Sequence, residues 1–233
     1  MEAAAERKGG ESALATVLNP VMSSKKLAQL SDDRFLAQMT RCVFNAGFHW
    51  RVITSKWPGF EKVFHQFEIG KLLTLSPSEW EAFSQDTRIV RNRPKIKTVW
   101  ENARMIDGAI EQHGSFGQFL ADWPVAEQID LMAWLKNQGG RLGGQTGQYF
   151  LRFVGKDGFI TSKDVCTALR ANGVDINEKP TSKRDLSRVQ DAFNHWHDET
   201  GLPYTHLSKV LAYTVGDNYS VETIKEEASG HET

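Results

Sequence analysis

One pattern keeps returning along this chain: a start signal, an apolar stripe at three- and four-residue spacing, then a glycine stop. "SKDVCTALRANG", "TSKRDLSRVQDAFNHWHDETG" and "PYTHLSKVLAYTVG" all follow it. So does the first half. In "SDDRFLAQMTRCVF", Ser31 or Asp32 caps a stripe of Phe35, Leu36, Met39, Cys42 and Val43. "SPSEWEAFSQD" opens on a serine cap, and Pro94 starts the long helix of "PKIKTVWENARMIDGAIEQHG". No sustained period-two alternation and no Asn-Gly hairpin interrupts this reading. The pattern predicts an all-α protein of about ten helices with short connections. No repeat of solenoid length is visible.

One stretch breaks the pattern. "FNAGFHW" sets Gly47 among three large aromatics, and "WRVITSKW" then resumes the helical period until Pro58, where a stop is predicted. Glycine inside a helix costs ~1 kcal/mol relative to alanine, so a buried helix has no use for it there. A loop that lays its backbone against something flat does.

Composition narrows the rest. The 233 residues are 40% hydrophobic with seven tryptophans, which suits a folded globular chain. No run approaches the ~18 apolar residues of a membrane span, and the start carries no export signal. A cytoplasmic protein with no membrane association is expected. Cys42 and Cys166 are read as free thiols. The net charge of −1 hides a segregated distribution. "RIVRNRPKIK" holds Arg88, Arg91, Arg93, Lys95 and Lys97 without an acid, whereas "VETIKEEASGHET" is acid-rich. The basic segment reads as a solvated helical surface. Residues 1–28 read as a mobile or loosely packed arm, 29–216 as the helical domain, and 217–233 as an acidic tail.

At 142–155, "LGGQTGQYFLRFVG" joins two helical segments through a glycine-rich turn. Such a hairpin turns backbone N–H groups outward at the start of its second helix, where the dipole also favours an anion. The candidate backbone-binding residues are Gly143, Gly144, Gln145, Thr146 and Gly147. An ordinary glycine-linked hairpin is the alternative.

This hairpin resembles the helix-hairpin-helix of DNA glycosylases. The ordered blocks "NAGFHW", "FHQF" and "RIVRNRPKIKTVWENAR" are similar to the bacterial 3-methyladenine DNA glycosylase I family. That family carries "Q-A-G-L-S-W", "F-x-x-F" and "I-I-R-x-R-x-K-I-x-A-x-x-x-N-A" at matching spacings. The resemblance spans roughly residues 31 to 170. It implies two helical lobes with a base-sized cleft between them, no cofactor, and monomeric action on double-stranded DNA containing alkylated bases. It implies that Gly47 and Phe48 plug the gap left by an extruded base. Cys42, Phe44, Asn45 and Trp50 would line the base pocket, unless these side chains are simply core. An alkylated purine is cationic, and an aromatic wall suits a cation.

The chain departs from the family in three places. Cys42 stands where the family has a glutamate that helps hold the base. The N-terminal segment carries none of the family's aromatic and Cys/His residues, and the matching C-terminal zinc ligands are missing too, so no metal is expected. His195 and His197, at i and i+2, point different ways on a helix. Many related glycosylases keep an aspartate shortly after the hairpin. Ser162 occupies that register here, and Asp164 is the nearest carboxylate. It is either catalytic or a routine first-turn residue.

The reading that results is a base-excision DNA glycosylase that flips and hydrolyses off an alkylated purine, 3-methyladenine foremost. Its rivals are a non-catalytic lesion-recognising protein of the same fold and a helical protein-interaction scaffold.

Overall fold

The computed structural model describes residues 1–18 and 20–232, with side chains through residue 226. Asn19 and Thr233, one within the expected arm and one ending the expected tail, lie outside the described residues. Among those described there are helices and turns but no strand. The chain divides into two compact units, one of residues 1–21, 124–131 and 157–232, the other of residues 22–123 and 132–156.

The second unit carries α3 (Ser24–Ala28), α4 (Asp32–Asn45), α5 (Trp50–Val63), α6 (Ile69–Thr74), α7 (Pro77–Phe83), α8 (Arg93–His113) and α9 (Phe116–Asp122). It also holds most of α10 (Gln128–Gln138) and all of α11 (Gln145–Phe153). Its axis is α8, which buries Ile96, Val99, Ala103 and Ile106 on the face that packs against α4, α6 and α9. Aromatic rings fill the space beside it. Phe44 meets Phe60 edge-on at 4.8 Å, Trp57 stacks on Phe60 at 5.4 Å, and Phe119 packs on Trp134 at 4.5 Å. Edge-on and offset contacts of this kind add about 0.5–1.5 kcal/mol each beyond area burial.

Two expectations are corrected here. The helix begun at Trp50 does not stop before Pro58 but runs through it to Val63. An internal proline costs ~3 kcal/mol through its missing donor and steric clash. Burial of Ile53, Phe60 and Val63, with Trp57 stacked on Phe60, offsets that cost.

The arm is not loose. Residues 2–8 and 11–15 form α1 and α2, and Ala4, Ala5, Leu14 and Val17 pack with Val210 in the first unit. Val221 and Ile224 of the expected tail join the same cluster from α15 (Val221–Glu232). Lys8 donates to Asn218 Oδ1 at 3.0 Å and to the Tyr219 carbonyl at 2.7 Å, so the two ends of the chain clasp each other. Small apolar residues with no visible period still bury well when another helix supplies the opposing surface.

The rest of the first unit is α12 (Lys163–Ala171), α13 (Lys183–Thr200) and α14 (Tyr204–Thr214), closed around Phe159 and Phe193, which stack at 4.3 Å.

Candidate nucleic-acid interface

The break in "FNAGFHW" is a corner between helices. α4 ends at Asn45, Gly47 takes φ +80°, and α5 starts at Trp50. A β-carbon on Gly47 would meet nothing within 4 Å, so the residue is demanded by its backbone angle and not by crowding. The Phe48 amide donates to the Asn45 carbonyl at 3.1 Å, which closes the turn. His49 caps α5 through Nδ1, accepting from the Arg51 amide at 3.4 Å. The corner therefore presents Phe48, 40% exposed, and a half-buried Trp50.

A lysine holds this corner in place. Lys95, on the first turn of α8, is only 5% exposed. Its ammonium donates to the Phe44 carbonyl at 3.1 Å and the Ala46 carbonyl at 2.5 Å, and sits 4.5 Å from the Phe48 ring centre. It satisfies α4's final carbonyls, which no helical donor reaches. Burial foremost, then the nearby Arg141 charge, holds the Lys95 pKa below its ordinary value. Arg141 belongs to the glycine hairpin, so the corner and the hairpin are neighbours within one compact unit. By pattern alone Lys95 is one more cation on a solvated surface. The family block containing it, "RPKI", was the available signal.

The hairpin is equally specified. Gly144 is the N-cap of α11 at φ +60°, ψ −141°, with no side-chain cap, and a β-carbon there would point into open space. Gly147 is tighter, since a β-carbon would lie 2.3 Å from the Leu142 carbonyl oxygen. Asn102 of α8, fully buried, grips the turn: its Oδ1 accepts from the Gly140 amide at 2.7 Å and its Nδ2 donates to the Gly140 carbonyl at 3.3 Å. Arg141 stands exposed at φ +59°, a region costly to a residue with a side chain. Such strain concentrates where a surface is shaped for a ligand.

The pocket residues expected from the sequence separate on inspection. Phe44 is fully buried against Phe60 and belongs to the core beneath the corner, not to an open wall. Cys42 is buried too, with the Gln38 amide 3.6 Å from its sulfur, and burial pushes its thiol up to about 12. It is a neutral packing residue. Asn45 is half-buried, and its Oδ1 is enclosed with no hydrogen-bond partner among the described residues. Trp50 is not sealed in hydrocarbon. His49 stacks beside it at 6.1 Å, and the Arg51 guanidinium lies 5.4 Å from its ring.

Asp164 lies in the other unit, on the first turn of α12. Its carboxylate rests against the Gly216 backbone, where a β-carbon would come within 2.9 Å of Oδ1. Ser162, which holds the register of the related glycosylases' aspartate, is the N-cap of α12 and accepts from the Val165 amide at 3.2 Å. Among the described residues, no three His, Cys, Asp or Glu side chains gather into a metal site. His197 contacts the Leu202 carbonyl, and His195 faces Glu199.

With this geometry in view, the fold can be placed. It is that of the helix-hairpin-helix DNA glycosylases. An 8-oxoguanine glycosylase/lyase of Methanocaldococcus jannaschii, solved with a 15mer DNA containing 8-oxoguanine, superposes with a TM-score of 0.54 at 17% identity over 91% of this chain and 94% of that one. Within that class, residues 27–138 match the methyladenine glycosylase family, which bears out the resemblance carried by the ordered sequence blocks. A crystal structure of 3-methyladenine DNA glycosylase I shares 26% identity over 59% of this chain and 81% of its own, at a TM-score of 0.44. The Staphylococcus aureus enzyme shares 23% over 67% and 91%, at 0.46. No curated protein sequence matches the chain. No helix among the described residues is long and apolar enough to cross a membrane.

Proposed function

We propose that the protein is a base-excision DNA glycosylase acting on an alkylated purine, with 3-methyladenine the substrate that the matched family's name suggests. One observation carries the proposal: an exposed Phe48–Trp50 corner, held by Lys95, shares a compact unit with an open glycine hairpin. Residues 143–147 grip the phosphate backbone through the first-turn N–H groups of α11 and its dipole. Gly47 and Phe48 fill the gap that opens when a base is extruded, a step costing a few kcal/mol. Trp50 and Asn45 meet the extruded base, while Cys42 and Phe44 support them from below.

In the reaction, water adds its oxygen to the sugar C1′ and the C1′–N bond breaks. The cationic base takes the bonding pair and leaves neutral, hydroxyl remains at C1′, and the water's second proton passes to solvent. Asp164, on the first turn of α12 in the other unit, is the nearest carboxylate to the register of the related glycosylases' aspartate, and its part in the reaction is tested by base release from Asp164→Asn. The protein acts as a monomer on double-stranded DNA. The test is release of free base from alkylated duplex, read by chromatography, with the abasic strand read by alkaline cleavage.

A second reading, a lesion-binding protein without turnover, is favoured by one feature. The thiol at position 42 is neutral and buried, so it supplies no acid or base beside the corner. Lesion-selective binding with no release at high protein concentration would establish it. DNA affinity that is absent, or indifferent to salt, would remove both readings in favour of a protein-interaction scaffold.

A further inference from the structure

The second unit has a groove lined by neither the corner nor the hairpin. α7 and the first half of α8 wall a cavity of about 580 Å³. Leu75, Trp80, Ile96 and Trp100 give it an apolar lining, with Arg93 and Lys97 on the α8 side and Glu81 on the α7 side. α7 is left unfinished by it. This helix carries Trp80 and Phe83, yet buries no residue. Both rings lean on Phe64, at 6.3 and 5.2 Å, and stay partly exposed. Large rings left partly in water along one groove mark a surface that another molecule covers. Lys97 and Trp100 fall at positions that the family block leaves open, so that block does not specify the groove.

The charges say what kind of molecule fits. Arg93 pairs with Glu81, and Lys97 pairs with Glu101 at 3.1 Å. Arg104, exposed, lies 5.0 Å from the Trp100 ring and joins no ion pair among the described residues. Glu79, elsewhere on α7, is taken up by the Ser76 cap. The groove therefore carries one positive charge in excess. Its two ion pairs are exposed, and such pairs are worth ~0–1 kcal/mol, so carboxylates from outside can displace Glu81 and Glu101 at little cost. A phosphate backbone fits less well, because Glu81 stands on the rim and the lining is mostly apolar. An aromatic centre with arginine on a polar rim is the anatomy of a protein interface.

We propose that this groove docks a partner protein, which seats large apolar side chains of a short acidic segment against Trp80 and Trp100 and sets its carboxylates against Arg93, Lys97 and Arg104. The proposal stands apart from the base-excision site and from its substrate.

The experiment selects a displayed library of random peptides on the full chain and counter-selects on Trp100→Ala. Retained sequences should carry aspartate or glutamate around leucine, phenylalanine or tryptophan. The strongest, made synthetically, is titrated by anisotropy. Trp100→Ala should weaken it roughly tenfold or more, as loss of an aromatic anchor does. Lys97 is 72% exposed, so Lys97→Glu leaves the packing alone and should weaken binding severalfold even if Trp100→Ala fails to fold. Saturating alkylated duplex should leave the titration unchanged. A selection without acidic-apolar sequences, or a peptide indifferent to Lys97→Glu, overturns the proposal. Competition by duplex overturns it in favour of a nucleic-acid surface, and dimerisation that Lys97→Glu abolishes overturns it in favour of a second copy of this chain. Base release is untouched by any of these outcomes, so the glycosylase reading is judged separately.

Discussion

Lys95 reaches from α8 to the last carbonyls of α4 and places its ammonium 4.5 Å from the Phe48 ring. One buried cation thus ends a helix, fixes a loop and orients the exposed ring on that loop. Lys95→Met would leave two carbonyls without their donor, and losing charged hydrogen bonds of this kind costs about 1.5–3 kcal/mol. Urea unfolding should show that loss. Hydrogen exchange should show faster opening confined to residues 46–49, and an unchanged exchange pattern there would separate Lys95 from the corner.

Gly144 and Gly147 make opposite demands. A β-carbon at 144 enters open space but must adopt φ +60°, whereas one at 147 collides with the Leu142 carbonyl. Gly147→Ala should therefore destabilise the fold itself, lowering the thermal midpoint. Replacing Gly144 with a bulky residue should chiefly weaken binding to damaged and undamaged duplexes alike. Equal thermal losses from both would mean that the turn's role is packing alone.

Phe48 and Trp50 should behave differently from the hairpin. Phe48→Ala and Trp50→Ala remove rings from the corner without touching the backbone grip, so undamaged DNA should bind as before while the preference for damage falls. Ring stacking on a base is worth ~1–3 kcal/mol, so the preference should drop by roughly tenfold or more. A uniform loss across all duplexes would merge corner and hairpin into one surface.

Arg141→Gln addresses the electrostatic share of binding. If Arg141 meets a phosphate, the slope of log affinity against log salt should become shallower by about one. An unchanged slope would place Arg141 away from the DNA.

The Cys42 thiol, held at about 12 against an ordinary 9.0, makes a pH prediction. The folded state keeps its proton where the unfolded chain has lost it, so stability is unaffected below pH 9 and falls as pH rises from there toward 12. Cys42→Ala should flatten that part of the profile after its own packing loss is subtracted. In the native protein at pH 8, thiol reagents should leave Cys42 unmodified until unfolding exposes it.

How much of this was legible from the sequence follows from the range of each interaction. Capping residues, three- and four-residue spacing and glycine stops act between near neighbours. That is why "SPSEWEAF" could be read as a serine-capped helix and "LGGQTGQYFLRFV" as a glycine turn feeding a helix. The ordered family blocks extended that reading to a fold and a surface. Pattern treats Lys95 as a charge on a solvated face, because nothing nearby in the chain reveals the two carbonyls some 50 residues earlier that hold it. Asn102 is similar, since its partner Gly140 lies 38 positions away. Phe44 and Trp50 look alike as aromatics beside one glycine, yet one is core and the other half-open. The Ala-rich start lacked any period, and only the surface offered by Val210 and Tyr213 turned it into packed helix. The sequence by itself determined the helices and the backbone freedom at their breaks, since those depend on local sterics and hydrogen bonding. Burial, and the cations that sit over each ring, depend on distant segments meeting, and only the tertiary structure decided them.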